Sequence, residues 1–482
     1  MLRAPWVSRA AGARVCTPPR RTHHDYVRTR APGGSTARIP LRPGQTFGAL
    51  ASRGERAGQE DALSYACVML PCEQLRQNIS DTTPGGQTRD PWFGWTCHDA
   101  GGPDLGGQVV WFACFDGHGG ASVSQLLAEK LHGVFEAAEP DMVTDTVRYM
   151  RSLGGYFRRY SGGVLERWVR QDVLQEAAAA QREAQRAGEA PPARTLAELA
   201  ESSRRAPERA RPLEHYRALD TDGAPGATHT QRIAPPEAMR GKEITLRERA
   251  TLAWLMVRRM LTQMDREIQQ NEAYGGAGST ASVVLVHSLD KPSAPWFASQ
   301  YVSLTTIHLG DTRFLLCPTA DGRAVPLTTY HHPDEPTEAE RLSRLGAGVV
   351  TDSFGENRWM GTMANTRAFG DADAKRFGVT PEPDVSTHIL RGADFAFAIG
   401  FSDGISDVVS DQEIVDLCHG AAHPQDAAKR VLRYAENLGA VDNATVLCIP
   451  LAGWGKVRGE DSTKAQRRER LSKVDLFRDR RK

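Results

Sequence analysis

The sequence predicts an α+β fold in which two stacked sheets are flanked by helices. Three features of the chain carry this expectation. Short apolar runs of strand length recur along it. Helical periodicities fall between clusters of those runs, often in pairs, rather than alternating one for one with them. Asp-Gly and Asp-Asn steps stand at the boundaries of three runs: Asp116-Gly117, Asp403-Gly404 and Asp442-Asn443.

The elements follow in order. Residues 47–69 read as strand and turn. Residues 72–107, rich in Gly, Pro, Asp and Thr, predict a surface loop. The continuous apolar run at 109–115 predicts a buried strand, stopped by Asp116-Gly117-His118-Gly119-Gly120. Val123, Leu126, Leu127 and Leu131 predict a helix over 122–135. Residues 140–245 form the largest insertion: 174–186 is helix-prone, and the later part is polar and broken by Pro191-Pro192. Deleting 165–235 is therefore expected to leave the fold intact. A helix over 247–271 carries Leu252, Leu255, Met256 and Met260 on one side. Strands are expected at 281–287, 301–309, 313–317, 395–401 and 444–450, with helices at 337–345 (ended by Gly346), 411–418 and 424–438. The tail from 456 to 482 is basic and polar.

The 482 residues have room for one large domain with insertions, and the 40% hydrophobic and 25% charged fractions suit a soluble globular protein. A net charge of +1 gives no global pull toward nucleic acid. No apolar run approaches the ~18 residues of a membrane span. Eight cysteines without a C-x-x-C pair, several inside apolar runs, predict reduced thiols rather than a disulfide framework or structural zinc. Residues 1–43 carry nine arginines against the single acid Asp25, the signature of a mitochondrial transit peptide on an otherwise disordered segment. The matrix is the expected location, with cytosol or nucleus as the alternative.

An Asp-Gly step alone is commonly a turn. Several such steps at strand ends are another matter, because strand ends fix side chains at the rim of a sheet. Carboxylates converging there repel one another in a low-dielectric site, and divalent cations neutralise them. An all-oxygen donor set favours magnesium or manganese. Glycine after Asp116 lets the backbone approach a metal closely.

In chain order the motifs are Arg56 four residues before Glu60 in Glu60-Asp61-Ala62; Phe115-Asp116-Gly117-His118-Gly119-Gly120; Gly278-Ser279-Thr280-Ala281; Gly310-Asp311-Thr312-Arg313; Thr366-Arg367-Ala368-Phe369-Gly370-Asp371; Glu382-Pro383-Asp384-Val385; Ser402-Asp403-Gly404; and Asp442-Asn443-Ala444-Thr445. The chain so read resembles the type-2C metal-dependent protein phosphatases (the PPM family), over roughly residues 45–452. The resemblance implies a four-layer α/β/β/α sandwich of two antiparallel sheets, bearing a large helical or disordered insertion. It implies a catalytic domain over 44–455 with insertions at about 72–107 and 140–245, between the transit segment 1–43 and the tail 456–482. It implies serine/threonine phosphatase activity by a water activated between two ions, Mg2+ or Mn2+, with a possible third.

The same resemblance implies roles. Asp116 bridges the two metals and the Gly117 carbonyl binds one of them. Asp403 and Asp442 complete the first metal's ligands, Glu60 and Asp61 hold the second, and Asp311 with Asp403 serves a third ion. Arg56 binds the substrate phosphate and His118 protonates the leaving alkoxide. Phosphoprotein substrates follow, with the pyruvate dehydrogenase complex a candidate by resemblance to fungal mitochondrial members only; a monomer is expected. Thr312, Tyr330, Phe369 and Ser406 depart from the family pattern without removing a ligand.

Two rival chemistries are weaker. Cys317 and Arg323 have the spacing of a cysteine phosphatase, but no helix N-terminus stands there to bind phosphate. Asp371-Ala372-Asp373 lacks a preceding apolar strand. The remaining alternative is a catalytically inactive regulatory or scaffolding relative, which would typically have lost one of the three central aspartates.

Overall fold

The computed structural model describes residues 25–30, 34–82, 90–153, 157–158, 160, 162–170, 244–268, 276–343, 349–351, 357–359, 361, 364–371, 375 and 377–479. The expected transit segment before residue 25, the helix over 174–186 and the cap at Gly346 lie outside them.

Its strands are β1 (Tyr26–Arg30), β2 (Thr36–Pro40), β3 (Gly48–Ser52), β4 (Ala62–Met69), β5 (Gln108–Phe115), β6 (Gly117–His118), β7 (Gly278–Ser279), β8 (Ala281–Ser288), β9 (Tyr301–Leu309), β10 (Arg313–Pro318), β11 (Val325–Pro326), β12 (Val349–Thr351), β13 (Asn357–Trp359), β14 (Phe369–Gly370), β15 (Asp384–Arg391), β16 (Phe395–Phe401) and β17 (Ala444–Pro450). The main helices are α1 (Cys72–Thr82), α2 (Ser122–Ala137), α3 (Val143–Ser152), α4 (Leu246–Ile268), α5 (Pro336–Ser343), α6 (Asp411–Cys418), α7 (Pro424–Leu438) and α8 (Lys464–Asp479).

Two five-stranded antiparallel sheets form the centre, in the orders β15-β9-β8-β5-β4 and β11-β10-β16-β17-β3. Strand alternation divides their side chains between layers. Val110 and Phe112 of β5 meet Phe314, Ala398 and Leu447 of the other sheet in the inner core. Trp111, Ala113 and Phe115 point the other way and pack with Leu127, Leu131 and Phe135 of α2 and Trp254 of α4. Phe397, Ile399, Val446 and Cys448 face α6 and α7 through Ile414, Val431 and Ala435. This is the expected α/β/β/α sandwich.

Local sequence accounts for the helix boundaries. Ser410 and Glu413 form a reciprocal capping box that starts α6. Pro424 opens α7, and Gly439 in the left-handed region closes it.

Several expectations are corrected. Residues 25–43 are not wholly disordered: β1 and β2 pair as an antiparallel hairpin, Val27 against Ile39. Val27 is buried in the inner core, and the Arg38 guanidinium lies 4.7 Å from the Tyr26 ring centroid. The arginines thus sit on an alternating strand, which an Arg-rich composition conceals. The segment 72–107 is not simply a loop, because α1 buries Leu75 and Ile79. Cys72 and Cys97 are joined as a disulfide, against the expectation of thiols only, while Cys67, Cys114, Cys317, Cys418 and Cys448 are free and buried. The insertion after 140 begins as core: Val147, Leu165 and Val169 are buried, and Arg167 pairs with Glu248 of α4 at 2.5 Å. A deletion beginning at 165 would remove part of that core. The strand β15 had no signal beyond its first residues, because its buried positions are few and spaced among polar ones.

A buried charge network anchors the segment leading into β14. Glu338 of α5 binds Arg367 at 2.6 Å and Arg341 at 2.7 Å, and Arg367 also reaches Asp384 at 2.8 Å. Burial alone would raise the Glu338 carboxyl, but the Arg367 and Arg341 charges outweigh it and bring it from 4.5 to about 2. Between those values the unfolded chain binds the additional proton, so this contribution to stability is full above 4.5 and is lost as the pH falls toward 2. Urea unfolding between pH 7 and 3 should show this decline. Glu338→Gln should flatten it and cost about 3 kcal/mol at pH 7, where it leaves Arg367 short of a partner.

Candidate active site

Strand register brings one end of both sheets together. Ala62 of β4 lies opposite Phe115 of β5, so Asp61 and Asp116 emerge side by side. Ala281 lies opposite Leu309, after which Gly310 and Asp311 turn the chain into the second sheet. There Phe401 stands opposite Val446, and Ala444 opposite Ser52. Asp403, Asp442 and the 53–60 loop bearing Arg56 therefore leave the second sheet at that same rim. Asp61, Asp116 and Asp403 lie close enough to feel the charges of their neighbours in this group, Asp311 and Asp442 among them.

The fixed parts are well supported. Ser402 Oγ and Thr445 Oγ1 each donate to Asp61 Oδ2 at 2.7 Å. Asn443 clamps the 53–60 loop: its side chain accepts from the Glu60 N–H at 2.6 Å and donates to the carbonyls of Arg53 at 2.8 Å and Gly58 at 3.0 Å. Gly117 is required by space, since a Cβ there would stand 2.3 Å from the Glu60 carbonyl oxygen. At Gly404 a Cβ would stand 2.1 Å from the Asn443 carbonyl oxygen. These contacts lock the two sheets' rims against each other.

The electrostatics are those of crowded carboxylates. Burial, then the charges of Asp403, Asp61 and Asp311, push the Asp116 carboxyl well above its usual range. Burial and then Asp311 push Asp403 up to about 8. Burial also raises Asp61, opposed by the Ser402 and Thr445 hydroxyls. Asp311 goes the other way: burial would raise it, but the neighbouring His332 and Asn365 side chains lower it on balance. Its Oδ2 lies 3.6 Å from His332 Nε2. The His332 ring stacks on Tyr330.

Asp61 Oδ1, Asp116 Oδ2 and Asp311 Oδ1 are buried without hydrogen-bond partners among the described residues. Unpaired buried carboxylate oxygens are costly and call for a cation. Among the described residues no three acidic, histidine or cysteine side chains already stand as a ligand set. The donor chemistry and the orphaned oxygens nonetheless fit hard divalent ions.

The predicted residues are not all disposed alike. The Arg56 guanidinium is exposed and rests on Asp442 Oδ2 at 2.5 Å. Glu60 is held through its backbone. His118 Nε2 lies 3.3 Å from Asp371 Oδ2, and this contact raises the imidazole above its ordinary value despite partial burial. Asp371, Asn443, Ser402, Thr445 and His332 were not singled out from the sequence as site residues. For Asn443, Ser402 and Thr445 the available signal was position directly beside a predicted aspartate. Cys317 is no rival, because burial pushes its thiol up and holds it protonated.

Known proteins resemble this chain in both sequence and structure. The family model "Protein phosphatase 2C" matches residues 242–444. Protein phosphatase 2C homolog 4 of Schizosaccharomyces pombe is 30% identical over 430 residues, covering 88% of this chain and 85% of that protein. A Xenopus laevis relative named protein phosphatase 1K, mitochondrial, is 33% identical over 160 residues, covering 33% of this chain and 42% of its own length. Among solved structures, serine-threonine phosphatase 2C from Toxoplasma gondii aligns with a TM-score of 0.42 at 16% identity, covering 89% of this chain and 98% of that one. The match to the fission-yeast protein carries the assignment: this chain belongs to the protein phosphatase 2C family.

Proposed function

We propose that this protein phosphatase hydrolyses phosphoserine and phosphothreonine in protein substrates at the rim of its two sheets, with Mg2+ or Mn2+ as the cations. The observation that carries the reading is the trio of buried, unpartnered carboxylate oxygens on Asp61, Asp116 and Asp311. Asp116, the Gly117 carbonyl, Asp403 and Asp442 would hold one ion, Glu60 and Asp61 with Asp116 a second, and Asp311 with Asp403 a third. When bound, the ions would supply charge neutralisation on the phosphoryl oxygens and lower the pKa of an attacking water.

The chain's own residues account for the remaining steps. Arg56 offers a planar fork for two phosphoryl oxygens and would exchange Asp442 for them as substrate enters. Water attacks phosphorus, the bond from phosphorus to the seryl or threonyl oxygen breaks, and its electron pair stays on that oxygen. His118 gives its proton there, releasing a neutral hydroxyl and inorganic phosphate. The proton lost by the water returns, through solvent, to the imidazole. No covalent phosphoenzyme is needed.

The location is proposed as mitochondrial, supported by the basic first 24 residues and by the name of the frog relative. The pyruvate dehydrogenase complex is a candidate substrate on resemblance alone. The domain limits proposed are a targeting segment before the β1–β2 hairpin, a catalytic domain to about residue 455, and a basic tail that is not free but folds back as α8, with Arg470 on Glu413 of α6 at 2.6 Å and Leu471 against the core.

Two experiments test this. Turnover of a phosphothreonine peptide should require Mg2+ or Mn2+, and Asp116→Ala or Asp403→Ala should lower it by about 100-fold or more. Near-normal turnover in either variant at saturating cation would refute the ligand assignment. A folded wild-type chain inactive with both ions would support the inactive-relative reading. Removing residues 1–24 should move a fluorescently tagged chain from mitochondria to the cytosol; a cytosolic signal with and without them would reject the targeting segment.

A further inference from the structure

Asp371 is a buried carboxylate that the reaction as described does not use. Its side chain is 7% exposed; among the described residues its Oδ2 has His118 Nε2 at 3.3 Å as an ion-pair contact but no well-aligned hydrogen bond. It is also the only non-glycine described residue with a positive φ, +48°. A side chain held in that region is sustained only where its surroundings demand it.

A small three-stranded sheet, β14-β7-β6, supplies the demand. Gly278 of β7 lies opposite His118 on one side and Gly370 on the other. The three residues form one row across the strands, and Asp371 directly follows its end. A Cβ on Gly278 would stand 2.5 Å from His118 Nε2 and 2.6 Å from Asp371 Oδ2. The missing side chain of Gly278 is what lets the imidazole and the carboxylate approach to 3.3 Å. Arg258 of α4 steadies the row by donating to the Gly370 carbonyl at 2.7 Å. The Glu338–Arg367 pair holds the chain just before it.

We propose that Asp371 is a positioning residue for His118. Its carboxylate takes the Nε2–H side of the ring, fixes the ring's orientation, and leaves the Nδ1 proton as the one given to the departing seryl or threonyl oxygen. The inference rests on His118 being the general acid. The competing role is structural: Asp371 offsetting Lys375, which is buried and donates to the Ala368 carbonyl.

Leaving-group dependence separates the two. A serine or threonine alkoxide needs a proton to leave, whereas p-nitrophenolate does not. The full chain, with saturating Mn2+, is assayed on a phosphothreonine peptide and on p-nitrophenyl phosphate. Asp371→Asn should lower kcat on the peptide by about 10- to 100-fold and on the aryl ester by less than about threefold, with KM little changed. His118→Ala should show the same selectivity, and the double variant should be no worse than His118→Ala alone. Thermal unfolding of the cation-free chain checks that the variants fold; Asp371→Gly, which suits the positive φ, repeats the test if Asn perturbs it. Equal losses on both substrates, or additive effects in the double variant, would overturn the proposal. Selectivity in His118→Ala but not in the Asp371 variants would overturn it while leaving His118 as the acid. No selectivity in His118→Ala would remove the acid assignment and the Asp371 role together.

Discussion

Mutual repulsion among carboxylates at one rim is the constraint on which the rest of the structure depends. Asp61, Asp116, Asp311, Asp403 and Asp442 come from five different strand ends, and burial weakens the solvent screening between them. Such a cluster opposes folding unless something rigid holds it and something positive answers it. The two antiparallel sheets are the rigid part. Their inner core, from Phe112 to Leu447, fixes the rims relative to each other. Hydroxyls from Ser402 and Thr445 satisfy one oxygen of Asp61 and leave the other open.

The glycines show how tightly this rim is built. Gly117 and Gly404 stand where any side chain would strike a neighbouring backbone carbonyl. Gly117 lies against Glu60, and Gly404 against Asn443, so each glycine marks a place where two chain segments carrying site residues touch. Stability and function share the same contacts here. A change that loosens the packing also moves a carboxylate.

Much of this was legible in the sequence because the elements that matter are apolar or punctuated. The runs ending at Phe115 and Phe401 announced their strands, and the Asp-Gly steps announced where they stop. The helices α6 and α7 matched their expected bounds because Ser410 with Glu413, and Pro424 with Gly439, are strong boundary signals. What stayed hidden depends on tertiary contacts. Arg28 and Arg38 in the first hairpin read as disorder until pairing gave them strand positions. The Cys72–Cys97 pair is 25 residues apart with nothing local to join it. Asp371 was visible in its motif, but its nearness to His118 arises only from the register through Gly278.

The proposed function requires divalent cations to answer the carboxylate cluster at this rim. Crystals of the full chain grown with Mn2+ would test it most directly, through the anomalous signal of the metal. Two strong peaks should flank Asp116, about 2.0 to 2.3 Å from carboxylate oxygens of the rim. Crystals holding Mn2+ elsewhere, or an ordered rim with no anomalous peak at saturating cation, would contradict it.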